Sequence, residues 1–295
     1  MLFRSALDVA VAAQMLLDGG AQRACAVAVD QIDGGLPVQH SVVDEGICLL
    51  NGLVHGQAQQ AAFQEQSALQ EPDELFRPDV GDPPYTIAVD AGHGGDDPGA
   101  TGVVVERDMT AATAEALTRW LDADPNYIPA ATRDSYDVTA TPSERAERSN
   151  SQNPDLLLSI HGNSASTEAA GFECYPITPG RTWHRESVYF AHLLADGMEA
   201  AGASLRGQHG VRYIYYENGQ KVLTEENDLR VRQEETFTLL EQSTCPAVLA
   251  EQCFVTSAAD VELFGDADGC QLAARVYYQA ICAYFGTTPL ESLPQ

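Results

Sequence analysis

An α/β domain, with a mainly parallel twisted sheet flanked by helices on both faces, is the fold class this sequence predicts. Three observations carry that prediction. After residue 84, short apolar runs alternate with stretches of helical periodicity. The runs are rich in Val, Ile, Leu and Ala and are bounded by Gly or Pro. Three of them finish beside an ionisable residue, and ligands of parallel sheets gather outside the carboxyl ends of the strands. A small α or α+β segment is expected ahead of this domain.

The elements follow in chain order. Leu2, Ala6, Val9, Ala13 and Leu17 fall on one stripe of an amphipathic helix. As a signal peptide the same stretch is spoiled by Asp8, by Gln14 and by the lack of a small-x-small cleavage site. A short strand over 24–29 and an apolar segment over 46–54 come next. Gln and Ala dominate 57–70. Residues 71–84 then hold four prolines and five acids, which forbid regular hydrogen bonding and bury little, so they read as a linker. The chain is therefore divided into an N-terminal segment, 1–84, and a second, larger domain, 85–290.

In the second part Thr86-Ile-Ala-Val-Asp90 reads as a buried strand. A helix over 107–121 follows from Met109, Ala112, Ala116 and Trp120. Residues 128–132 form a second strand. Thr141-Pro142-Ser143-Glu144 has the cap, the proline and the acid of a helix start. Further strands are expected over 156–160, 171–177 and 247–254, with a helix over 185–201. The closing helix carries Leu272, Val276, Ala280 and Phe285, widened by Tyr277, Ile281 and Tyr284.

Composition limits the partners. Forty-three Asp and Glu against 16 Lys and Arg give the 295-residue chain a formal charge of -27, and Lys221 is its one lysine. Such a field repels phosphate backbones and anionic headgroups, so nucleic acid is excluded as a partner. No window approaches 18 uninterrupted apolar residues, so membrane insertion is not expected. The seven cysteines are odd in number, widely spaced and free of any C-x-x-C pair, which suits reduced, buried thiols.

Chemistry gathers at three strand ends: Asp90-Ala-Gly-His93-Gly-Gly, Ser159-Ile-His161-Gly-Asn163 and Leu249-Ala-Glu251-Gln. A parallel sheet brings all three to one edge. An unpaired carboxylate in an apolar strand costs several kcal/mol, roughly, unless a cation or donor meets it. Two histidines at the same edge point to a metal. Glycines around His93 leave space beside the imidazole, and their spacing fits neither a dinucleotide fingerprint nor a P-loop. Catalytic zinc commonly takes three protein ligands, and Glu106, at the start of the first helix, is the leading third candidate. Its ordinary reading is a carboxylate at a helix N-terminus; two nearby histidines favour the ligand.

The run from Asp90 to Ala100 followed by Glu106 resembles the opening motif of the zinc-dependent N-acetylmuramoyl-L-alanine amidases, the amidase 3 group. The resemblance continues through Thr132-Arg133, the helix with Glu144, Arg145 and Arg148, the stretch from Asp155 to Asn163, Gly171 to Tyr175, and Pro246 to Phe254. It covers about residues 85–286. It implies one zinc ion held by His93, Glu106 and His161, with Glu251 as the catalytic carboxylate. The implied substrate is peptidoglycan or a muropeptide, cut at the amide between N-acetylmuramic acid and L-alanine of the stem peptide. Asn163 and Arg133 are weaker candidates for substrate contact. His40, His55, His184, His192 and His209 have no matching metal spacing, and Glu173 reads as structural.

Cys253 stands where the family commonly has Gly, and Gly162 where it often has Ala. The stretch 213–235 is longer and more polar than the family's usual link and is expected to form a loop or hairpin at the cleft rim. The alternative function is a catalytically silent or differently specific zinc-binding module acting in wall binding or regulation. A peptidase of the H-E-x-x-H type lacks its motif here. Action on the cell wall, outside the membrane, is expected of an autolysin or phage-type lysin, with 1–84 a candidate wall-targeting module, regulatory cap or docking segment for a regulatory partner.

Overall fold

The computed structural model describes residues 78–294. The expected N-terminal helix, the 24–29 strand, the 46–54 segment, the first half of the linker, His40, His55, Cys25 and Cys48 lie outside the described residues.

The main sheet has five strands in the order β2 (Tyr127–Ala131), β1 (Tyr85–Ala91), β3 (Leu156–Asn163), β7 (Ala247–Phe254), β4 (Glu173–Pro176). The first four are parallel, and β4 pairs antiparallel with β7. Helix α1 (Glu106–Ala123) leads from β1 to β2, and α2 (Pro142–Asn150) from β2 to β3. The chain thus leaves β1 on one side and returns on the other. The crevice between β1 and β3 is a topological switch point, where open α/β sheets bind ligands.

Strand side chains alternate between faces, and that alternation decides where the chemistry sits. Ile87, Val89, Ala91, Leu156, Leu158, Ile160, Val248 and Ala250 face one core, with α1, α3 (His184–Ala200) and α6 (Ala267–Phe285). Ala88, Leu157, Ala247 and Leu249 face the other, with α2 and the short α4 (Thr238–Gln242). Fully burying one such Ile or Leu contributes about 1.5–3 kcal/mol. By the same alternation Asp90, Ser159, His161 and Glu251 belong to the second face, and the register pairs Asp90 with Ser159 and His161 with Glu251.

Local signals explain several boundaries. Thr141 and Glu144 close a reciprocal capping box with Pro142 in the first turn. Gly286, with φ 71°, ends α6. Asn218 and Gly219, at φ 51° and 76°, form the two-residue turn between β5 (Arg212–Glu217) and β6 (Gln220–Glu225), a pair built for positive φ at both positions. This hairpin is the structure adopted by the polar stretch expected at the cleft rim. α5 (Ala258–Phe264) completes the described elements.

Three expectations are corrected. Leu272 is 39% exposed, because the buried face of α6 runs instead through Ala273, Ala274, Val276, Tyr277, Ala280 and Ile281, packed on α1 and α3. The strand expected over 171–177 spans only Glu173–Pro176. The stretch expected to act as linker packs at its end, with Pro78 buried and Val80 against the core. Cys174, Cys245, Cys253, Cys270 and Cys282 are free and buried, as expected. No helix among the described residues is long and apolar enough to cross a membrane.

Candidate active site

His93 leaves β1 through a glycine turn, with φ 62°. Its Nδ1 lies 2.8 Å from Asp97 Oδ2 and its Nε2 3.1 Å from Glu106 Oε1. His161, near the end of β3, sets Nδ1 3.0 Å from the same Glu106 oxygen. Two backbone amides fix that carboxylate: Ala100 N–H donates to Oε2 at 2.8 Å and Gly162 N–H to Oε1 at 3.0 Å. Ligand atoms of His93, Glu106 and His161 all fall within 4.8 Å of one another. They are the one group among the described residues to converge this closely.

Small residues keep the cluster open. A Cβ on Gly92 would overlap the His161 ring, and one on Gly99, at φ 62°, would sit 2.5 Å from His93 Cδ2 and 2.6 Å from Glu106 Oε2. Neither site admits a side chain without moving a donor.

Electrostatics follow from the crowding. Burial would raise the Glu106 carboxyl, but His161 and His93 outweigh it and hold the group ionised, well below the usual carboxylate range. Burial draws the His161 imidazole down, which keeps it neutral and fit to donate a lone pair. At His93 burial also pulls down, yet Glu106 and Asp97 prevail and raise it.

Glu251 stands beside His161 on β7. Burial, then the nearby carboxylates of Glu106 and Glu173, push its carboxyl up to about 8. Its Oε2 is buried and has no hydrogen-bond partner. Glu173 is its neighbour on β4, but is committed elsewhere. It accepts from Arg212 at 2.9 Å and from Asn163 Nδ2 at 2.5 Å.

Behind the cluster, Asp90 is fully buried and accepts from Thr132 Oγ1 at 2.5 Å, Ser159 Oγ at 2.7 Å and the Arg145 guanidinium. Burial pushes the Asp90 carboxyl up, but Arg145 and the two hydroxyls hold it below its ordinary value. Arg133 donates to the carbonyl oxygens of His93 and, at 2.5 Å, Ala91. This pair of arginines braces the turn that carries His93.

A cleft of about 660 Å³ opens over the cluster. His93, Glu106, His161, Asn163 and Glu251 all line it, and Tyr216, Lys221 and Phe237 form its far rim. Arg133 is not among the lining residues: its side chain is 3% exposed and spent on backbone carbonyls. Asn163 reaches the cleft, but its amide is already held by Glu173. His184 hydrogen-bonds Ile177 O at 2.7 Å, while His192 and His209 share Glu226 at 2.9 and 2.5 Å. Sequence reasoning missed Asp97, although it sits four residues after His93 in the quoted motif. The rim was expected from the polar stretch 213–235, but not which of its side chains face the cleft: Tyr216, Lys221 and Phe237.

The sequence profile of the family described as N-acetylmuramoyl-L-alanine amidase matches residues 87–283. An uncharacterized Bacillus subtilis protein, YqiI, is 30% identical over 201 residues, which are 68% of this chain and 84% of that one. The N-acetylmuramoyl-L-alanine amidase CwlM of Bacillus licheniformis is 29% identical over 202 residues, 68% of each chain. Among solved structures, the catalytic domain of CwlV, an N-acetylmuramoyl-L-alanine amidase from Bacillus (Paenibacillus) polymyxa var. colistinus, superposes with a TM-score of 0.55 at 24% identity. The superposition covers 69% of this chain and 99% of that domain, and it shows the shared fold. The family match runs from β1 into α6 and takes in every strand of the sheet, so the chain belongs to the N-acetylmuramoyl-L-alanine amidases, a family of cell-wall hydrolases.

Proposed function

We propose that this chain hydrolyses the amide between the lactyl group of N-acetylmuramic acid and L-alanine of the peptidoglycan stem peptide, with one zinc ion held by His93, Glu106 and His161. The observation that carries the reading is the meeting of those three donors beside a buried, unpartnered Glu251 oxygen at the floor of one cleft. The donor set suits zinc: two imidazoles and one ionised carboxylate, with Asp97 behind His93 as the outer carboxylate that metal-bound histidines commonly have. When bound, zinc supplies Lewis acidity toward the amide carbonyl and toward water.

The chain's own residues do the rest. Glu251 takes the proton of the attacking water and returns it to the alanine nitrogen as the C–N bond breaks, since hydrolysis needs a base and then an acid at one place. With the site filled, Glu251 would face a net positive charge at Glu106 in place of a negative one, and its carboxyl would be drawn down toward the ionised form a base requires. Asp97 and the Arg133 contact to His93 O hold the first imidazole, so Arg133 positions the site without touching substrate. Asn163 remains the nearer candidate for substrate contact.

The same reading places the reaction on the cell wall, outside the cytoplasmic membrane, with residues 85–290 as the catalytic domain. On the same reading the N-terminal residues serve to dock a regulatory partner. Two variants test the reading. Glu251→Gln should keep zinc and lose turnover by at least about a hundredfold; full activity sinks the role. His93→Ala should lose both metal and activity; a normal zinc content removes His93 from the ligand set. Zinc retained with no hydrolysis of any muropeptide would favour a silent wall-binding module instead.

A further inference from the structure

We infer that Lys221, at the rim of the active-site cleft, is a specificity residue that binds a free carboxylate of the stem peptide beyond the scissile amide. The inference rests on the proposed hydrolase reading and extends it to the form of the peptide preferred.

A stem peptide with free carboxylates is an anion, and it must enter a cleft of a chain that carries -27 overall. The cleft walls are themselves acidic, with Glu106, Glu235 and Glu251. Among the described residues, Arg145 and Lys221 are the two Arg or Lys side chains that line it. Arg145 is buried and bound to Asp90, so it has no charge to spare. Lys221 is exposed, and it is the one lysine in 295 residues.

The fold then aims that cation. Lys221 is paired across the hairpin with Tyr216, and its Nζ stands 5.9 Å from the centre of the Phe237 ring. Tyr216 in turn meets Phe237 edge-on at 6.3 Å, and its N–H donates to Glu235 O at 2.8 Å. The ammonium therefore rests on an aromatic shelf that fixes its approach while leaving its three donors open. It lies close enough to Glu251 that its charge opposes the upward push on that carboxyl. The hairpin is pinned at both ends: at its base Arg212 bridges Glu173 and Glu225 at 2.9 and 3.1 Å, and beside the turn Arg232 bridges Glu217 and Asp228 at 2.7 and 3.0 Å. A cation on a braced arm, over the same cleft as the reacting amide, reads the substrate a residue or two away from the cut.

Two carboxylates share this chemistry: the α-carboxyl of the second residue, a γ-linked glutamate, and that of a diamino acid at the third. The experiment separates them. Soluble muramyl tripeptides are prepared as the free acid, amidated at the second residue, or amidated at the third. Dissociation constants and kcat/KM are measured with full-length wild type and with Lys221→Ala, Lys221→Arg and Lys221→Glu. Wild type should favour the free acid over one of the two amides by about fivefold, the scale of a charged contact at an accessible site. That ratio should fall to near one in Lys221→Ala, persist in Lys221→Arg and invert in Lys221→Glu; the amide that causes the loss identifies the carboxylate. Cleavage with no discrimination, or with the same ratio in wild type and Lys221→Ala, overturns the inference and leaves the hydrolase reading standing. Lys221-dependent binding without cleavage of any of the three supports the inference and overturns the hydrolase reading.

Discussion

Replacing Asp90 by Asn tests how the site is supported. Asp90 is fully buried and accepts from Arg145, Ser159 and Thr132, with Arg133 Nη2 a further 4.0 Å away. The amide has nearly the same shape and removes one charge. Arg145, itself buried, would then keep a positive charge with no counterion. Removing one partner of such a pair costs about 3–5 kcal/mol, against about 5–15 kcal/mol for a whole domain. In a domain of this size each kcal/mol shifts the midpoint by about 2–4 °C. Thermal unfolding followed by circular dichroism should therefore show a fall of roughly 6–20 °C. The double replacement Asp90→Leu with Arg145→Met should recover much of it, because no orphan charge remains. Acid should imitate the single substitution. The folded-state carboxyl lies below its ordinary value, so its stabilisation is complete above about pH 5 and is lost as pH falls through the folded value. A midpoint within about 2 °C of wild type would refute the reasoning, since the scale quoted leaves no room for it.

Further outcomes follow from neighbouring contacts. Asp97→Asn should weaken zinc affinity by about tenfold to a hundredfold, measured by competition with a chelator, because His93 loses its outer carboxylate; unchanged affinity would mean Asp97 does not orient the ring. Gly99→Ala should lower zinc content while the protein remains folded by circular dichroism, because the new methyl falls on His93 and Glu106; full occupancy would show that the turn yields. At the hairpin, Glu226 ties His192 and His209. The raised His192 value makes its share complete below about pH 6.5 and lost as pH rises through the folded value. The lowered Glu226 value makes its own share fail as pH falls. Amide hydrogen exchange in β6, corrected for intrinsic rate, should be slowest between those limits, and Glu226→Gln should flatten the profile.

Much of this site was legible because its residues sit where local patterns are strongest. β7 was delimited correctly because an apolar run between Pro246 and the turn after Phe254 permits little else. The α2 start was legible from Thr141, Pro142 and Glu144, whose contacts are local. His93, His161 and Glu251 were legible as a group because parallel strands bring their ends to one edge, whatever the packing. The direction of β4 was not, since four residues read alike either way and pairing with β7 is a tertiary choice. Arg133 could be named but not interpreted, because no local pattern tells a buried guanidinium from one that faces substrate. Leu272 misled for a related reason: the stripe on α6 is wide, and its centre is set by α1 and α3. Lys221 gained meaning only when the hairpin placed it over the cleft.

The central claim is that the cluster of His93, Glu106 and His161 holds zinc for amide hydrolysis at the glycan–peptide junction. Its most direct test is the zinc content of the purified full-length chain, joined to mass spectrometry of peptidoglycan digested with and without chelator. The account predicts about one zinc per chain and chelator-sensitive release of free stem peptides from intact glycan strands. No zinc after reconstitution, or release of peptides that chelator does not stop, would contradict it.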